Sequence, residues 1–139
     1  MLPDVRKYLF DIQKACQLLA EFTAGRTFDD YATDALLRSA VERQFAIIGE
    51  AVAQVMRLDP DLATAISESK RIIAFRNILI HSYATVSDEV VWGILETDLP
   101  RLREEVNTLW HRNLPAILAA SSFGSTHGSN PMTLISKPS

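Results

Sequence analysis

The chain has 139 residues, 47% of them hydrophobic and 22% charged, with a formal net charge of −3; this fits one domain and excludes nucleic-acid binding by bulk electrostatics, so any RNA contact has to be local. The single cysteine, Cys16, excludes an intrachain disulfide and suits a reducing cytoplasm. Met1-Leu2-Pro3-Asp4 reads as no secretory signal, and no stretch approaches the roughly 18 apolar residues that a membrane helix needs.

Val5, Leu9, Ile12, Cys16, Leu19 and Phe22 recur at three- and four-residue spacing, which predicts an amphipathic helix stopped by Gly25 as a C-terminal cap. Asp29 or Thr33 is expected to cap a long second helix carrying Leu36, Leu37, Val41, Phe45, Ile48, Val52 and Val55. Gly49 inside it costs about 1 kcal/mol relative to alanine, and a close helix crossing is the simplest reason for its presence. Asp59-Pro60 marks a break and a short helical start. A third helix is predicted from about Ser67 to Ser82, and a fourth from Ser87, where Asp88 and Glu89 suit its positive end. Pro100 predicts a kink, or a restart capped by Asp98, before that helix runs on to about His111. From Ala119 onward small polar residues mix with glycine and proline, which predicts a flexible tail over 119–139 behind a helical domain over 1–118. The fold class is all-α, an up-and-down bundle of four or five helices.

One position on the third helix is out of place. On a helical wheel with about 100° per residue, Ile72, Ile73, Leu79 and Ile80 all fall within about 60° of Arg76. Tyr83 lies within about 20° of the same direction, while Lys70, Asn77 and His81 share a separate polar stripe. A guanidinium centred on an apolar face needs an anionic partner: an ion pair with Glu50 or Glu42, a protein–protein seam, or a ligand phosphate. Taken singly, His81 reads as a hydrogen-bonded structural histidine and Tyr83 as a packing residue.

Taken together, Arg76-Asn77-Ile78-Leu79-Ile80-His81-Ser82-Tyr83 resembles the signature of the HEPN ribonucleases, and specifically their HepT-like toxin branch. In that signature an arginine is followed by histidine, and tyrosine stands two residues beyond it. Phe22-Thr23-Ala24-Gly25-Arg26-Thr27-Phe28, Ile48-Gly49-Glu50-Ala51, Val91-Trp92 and Leu99-Pro100 resemble other segments of the family. The resemblance covers about residues 4 to 110. It departs at Ile66 to Arg71, where relatives often carry a tryptophan that is missing here.

The resemblance implies a homodimer joined through the motif-bearing helices and a metal-independent endoribonuclease with RNA, tRNA among the candidates, as substrate. His81 would act as general base on a ribose 2′-hydroxyl, Arg76 would neutralise charge on the phosphate, and Asn77 would orient His81 or donate to the phosphate. It further implies a minimal nucleotidyltransferase antitoxin as partner, which neutralises the toxin by attaching AMP to Tyr83. His111 and His127 have no ligand spacing to His81 or Cys16, so neither a metal nor any other cofactor is expected. On a straight helix Arg76 and His81 are separated by about 140°, so the arginine wraps round, the helix distorts, or two copies contribute. Two other readings stand beside the enzyme: a non-catalytic HEPN module that binds a nucleotide or supports a nucleotidyltransferase, and a structural dimer in which Arg76 only pairs with an acid.

Overall fold

In the computed structural model, residues 2–81 and 86–112 are described, and every regular element among them is helical. The first helix, α1 (Pro3–Thr23), starts with a proline whose missing N–H costs nothing in a first turn. It ends before Gly25, whose φ of 71° lies in the left-handed region that glycine occupies without penalty.

The next element was not legible in the hydrophobic pattern. A short α2 (Phe28–Thr33) is closed by a reciprocal capping box between Thr27 and Asp30. The long helix α3 (Ala35–Leu58) is therefore capped neither by Asp29 nor by Thr33. Asp34 caps it instead, accepting from the Leu37 amide at 3.1 Å. Asp59 caps the four-residue α4 (Pro60–Ala63), as the Asp-Pro pair predicts.

α5 (Ser69–His81) carries the motif. Its start is tied down by Ser69, whose hydroxyl donates to the carbonyls of Ala63 and Ile66. Ser87 caps α6 (Asp88–Gly93), which passes through a π-helical turn over Ile94–Asp98 into α7 (Leu99–Arg112). Pro100 accounts for that turn. Proline has no N–H to offer the carbonyl one turn back, and the ladder widens just before it, with Leu99 donating to Ile94. Asp98 does not restart the helix as a cap; it pairs with Arg101 at 2.9 Å.

The core lies between α1, α3 and α7. Val5, Leu9, Ile12 and Leu19 of α1 meet Val41, Ile48, Val52 and Val55 of α3, and Val106 and Leu109 of α7 close the third side. Short α2 is held to α6 by rings, with Trp92 against both Phe28 and Tyr31. α5 docks on α3 outside this core. Among the described residues the architecture is the all-α bundle expected, with four long helical rods and two short segments between them. No helix among the described residues is long and apolar enough to cross a membrane. The expected tail falls outside the described residues.

Candidate functional site

The site is built on the way α5 meets α3. Gly49 of α3 lies directly beneath Arg76, and a Cβ added at Gly49 would collide with Arg76 Cβ and Cγ. The glycine is thus the notch in which the arginine stem lies, and the close crossing expected from its position is present. No other residue lets two helix backbones approach this far.

The arginine head turns to an acid. Arg76 Nη1 donates to Glu50 Oε1 at 3.0 Å, and the Arg76 side chain is 18% exposed against 51% for Glu50. Of the two acids considered from sequence, Glu50 is the partner and Glu42 is not. Arg76 Nε is buried without a hydrogen-bond partner. Guanidinium carries five N–H donors in a rigid fork, so one carboxylate contact does not exhaust it.

Asn77 and His81 lie on the outer side of α5, both exposed, with Lys70 on the same stripe. His81 is the last residue of α5. The structure therefore separates the two principal residues as the wheel requires, Arg76 inward against α3 and His81 outward toward solvent. Tyr83 and Ser82 fall outside the described residues.

The apolar arc around Arg76 is less complete than the wheel suggests. Ile72, Ile73, Phe75 and Leu79 are half-buried, and Phe75 meets Phe45 edge to face at 5.4 Å. Ile78 and Ile80 stay exposed. Beside Ile78 an apolar groove of about 290 Å³ separates α5 from α6 and α7, floored by Phe45, Ile72 and Phe75 and flanked by Val90 and Ile94. One end is closed by charges: Glu68 pairs with Arg71 and Arg101, and Glu105 accepts from the Ser67 amide.

Other reactive groups lie elsewhere. Burial pushes the Cys16 thiol up to about 12, with Arg103 opposing weakly, so the thiol stays protonated and unreactive. Burial, then the carboxylates of Glu42 and Asp88, hold the Tyr31 phenol above its usual range. Among the described residues no three His, Cys, Asp or Glu side chains gather as a metal site would need.

What the sequence did not disclose is the row behind Arg76. Glu50 Oε2 accepts from Gln54 Nε2 at 2.9 Å, and Gln54 Oε1 accepts from Arg57 Nε and Nη2 at 3.1 and 2.7 Å. The available signal was their spacing of four and three residues on one helix edge.

A family model described as ribonuclease HepT-like matches residues 12–109. A relative from Thermococcus cleftensis, named "Probable ribonuclease HepT", is 32% identical over 108 residues, which cover 75% of this chain and 94% of that protein. A "Putative RNase" from Methanocaldococcus jannaschii is 30% identical over 105 residues, covering 74% of this chain and 94% of its own. From the same organism, a "Gamma-glutamylcyclotransferase and putative RNase" is 34% identical over 106 residues. That match covers 76% of this chain and only 47% of the larger protein, so the chain spans about half of it. No solved structure matches.

Proposed function

The chain belongs to the HepT-like ribonuclease family, and from that membership we propose that it is the toxin of a toxin–antitoxin pair, a cytoplasmic endoribonuclease that cuts RNA without a metal ion. The observation that carries this is the make-up of α5: a partly buried arginine at Arg76, and an exposed imidazole at His81 with Asn77 one turn before it.

The chemistry follows from these side chains. Neutral His81 takes the proton of a ribose 2′-hydroxyl, because imidazole titrates near neutral pH. The 2′-oxygen attacks the adjacent phosphorus and the bond to the 5′-oxygen breaks, leaving a cyclic phosphate and a 5′-hydroxyl. Arg76 stabilises the extra negative charge on the phosphoryl oxygens through the N–H groups that Glu50 leaves free. Asn77, beside His81, donates to the phosphate or orients the ring.

A homodimer completes this arrangement. Ile78 and Ile80 are exposed on α5, as is Val90 on α6, and the groove beside Ile78 offers more apolar surface. Burying these against a second copy removes them from water and brings a second His81 to protonate the departing 5′-oxygen. Control of the toxin lies with a minimal nucleotidyltransferase that transfers AMP to the Tyr83 hydroxyl. The added phosphate, two residues past His81, competes with substrate for the Arg76 guanidinium.

The Arg76–Glu50 pair is also what favours the second reading, a HEPN module that cuts nothing, since an arginine neutralised by an acid needs no phosphate. Incubating the purified chain with total tRNA in excess chelator separates the two. Fragments ending in cyclic phosphate are expected. Activity that vanishes with chelator and returns with magnesium would overturn the mechanism, and no cleavage under any condition would favour the non-catalytic module.

A further inference from the structure

Glu50 is, on simple electrostatics, the wrong residue to stand beside an arginine that binds RNA. Its carboxylate repels a phosphate at close range. Nor does folding explain it well, because the side chain is half exposed and ion pairs of that kind contribute little to stability. Yet both of its oxygens are engaged. Oε1 accepts from Arg76, while Oε2 is pinned by Gln54, which is itself held from behind by Arg57.

We propose that Glu50 is a positioning residue for Arg76, backed by Gln54 and Arg57, which together with the Gly49 notch hold the guanidinium in one orientation before substrate arrives. The inference rests on the ribonuclease reading above. The stem of Arg76 is fixed where it crosses Gly49, and among the described residues its head is held by Glu50. Nε is buried and unpartnered, so the orientation is not set by satisfying every donor. An unrestrained arginine spreads over many rotamers and must lose that freedom during each reaction; one fixed at both ends has lost it in folding. The carboxylate takes the Nη1 edge and leaves the Nη2 side of the fork for a phosphoryl oxygen. Two opposed effects divide at Glu50: the ordering raises kcat, and the carboxylate's repulsion of the phosphate, which grows as charge builds in the transition state, weakens binding and offsets part of that gain.

This division makes the inference testable with the full chain acting on tRNA. In Glu50→Ala, kcat is expected to fall about tenfold with KM changed less than about threefold, as fits loss of orientation with relief of repulsion. Glu50→Gln keeps a carbonyl oxygen for Arg76 to donate to and is expected to recover most of kcat. Gln54→Ala frees one carboxylate oxygen and lowers kcat by about threefold. A purely structural Glu50 would lower the melting temperature of Glu50→Ala while the folded fraction kept wild-type kcat, and that result overturns the inference. So does a Glu50→Ala that cleaves faster than wild type, which would make Glu50 an inhibitory counter-ion. Should Glu50→Ala fail to fold, Gln54→Ala decides: reduced kcat supports the inference and unchanged kcat overturns it. A wild-type chain without cleavage removes the ribonuclease reading and this inference together, whereas an active wild type with an equally active Glu50→Ala removes the inference alone.

Discussion

Helices α1 and α5 both lie against α3, and they are covered to very different degrees. α1 places Val5, Leu9, Ile12, Cys16 and Leu19 entirely out of water, and α7 shields it on another side. α5 has one buried residue, Ser69, and leaves Ile78 and Ile80 half in solvent. The first helix is a structural member whose loss would remove the core. The second is held along one strip, by Ile72, the Gly49 notch and the Phe45–Phe75 contact, and keeps its remaining faces available. A helix that presents functional side chains cannot also bury all its apolar ones, and the exposed remainder is what a second subunit would cover.

The contrast is broken or sharpened first by truncation on each side. Leu9→Ala opens a cavity in the closed core and is expected to cost about 2–5 kcal/mol. Ile78→Asp with Ile80→Asp touches surface that one subunit leaves exposed, so the variant should fold and sediment as a monomer, with the wild type a dimer. Urea titration and sedimentation at micromolar concentration check the pair. A wild type that is monomeric, or a double variant that remains dimeric, would place the seam elsewhere.

Next in size is Gly49→Ala. In an ordinary helix interior this exchange gains about 1 kcal/mol. Here the new methyl group meets Arg76 Cβ and Cγ, which are anchored to the α5 backbone, so the helices have to separate. The expected result is a loss of about 1–3 kcal/mol together with impaired cleavage. A gain in stability would mean that α5 is docked more loosely than its crossing with α3 implies.

Much of this contrast was legible before the fold was known. Three- and four-residue apolar spacing locates α1 and α3, since a helix buried on one face has to repeat that way, and end signals at Ser87, Asp88 and Glu89 locate the last helix. Gly49 marked a close crossing without naming the helix that crosses it, and Arg76 among isoleucines marked the need for an anionic partner, with Glu50 among the candidates. Three features resisted. The capping box at Thr27 and Asp30 builds a helix too short to show periodicity, which displaced the expected α3 cap to Asp34. A π turn before Pro100 depends on how the ladder around a missing N–H is repaired, and a proline alone also suits a kink. Ile80 fell within the apolar arc yet is exposed, because a wheel gives direction around the axis and says nothing of whether a neighbour covers that turn. For the site, the helical wheel singled out Arg76 alone and the family resemblance brought in Asn77 and His81, whereas the Glu50–Gln54–Arg57 row required knowing which face of α3 meets α5.

The central claim is that Arg76 and His81 serve chemistry from a helix that is only partly committed to the core. Arg76→Ala and His81→Ala, each assayed on tRNA and melted under the same conditions, test it most directly. Both are expected to lower cleavage by at least about 100-fold, in line with loss of a general base or of transition-state charge stabilisation. Their melting temperatures should diverge, with His81→Ala near wild type because its side chain is exposed, and Arg76→Ala lower because it empties the Gly49 notch. Wild-type cleavage by both variants would contradict the account and leave Arg76 as a structural ion pair alone.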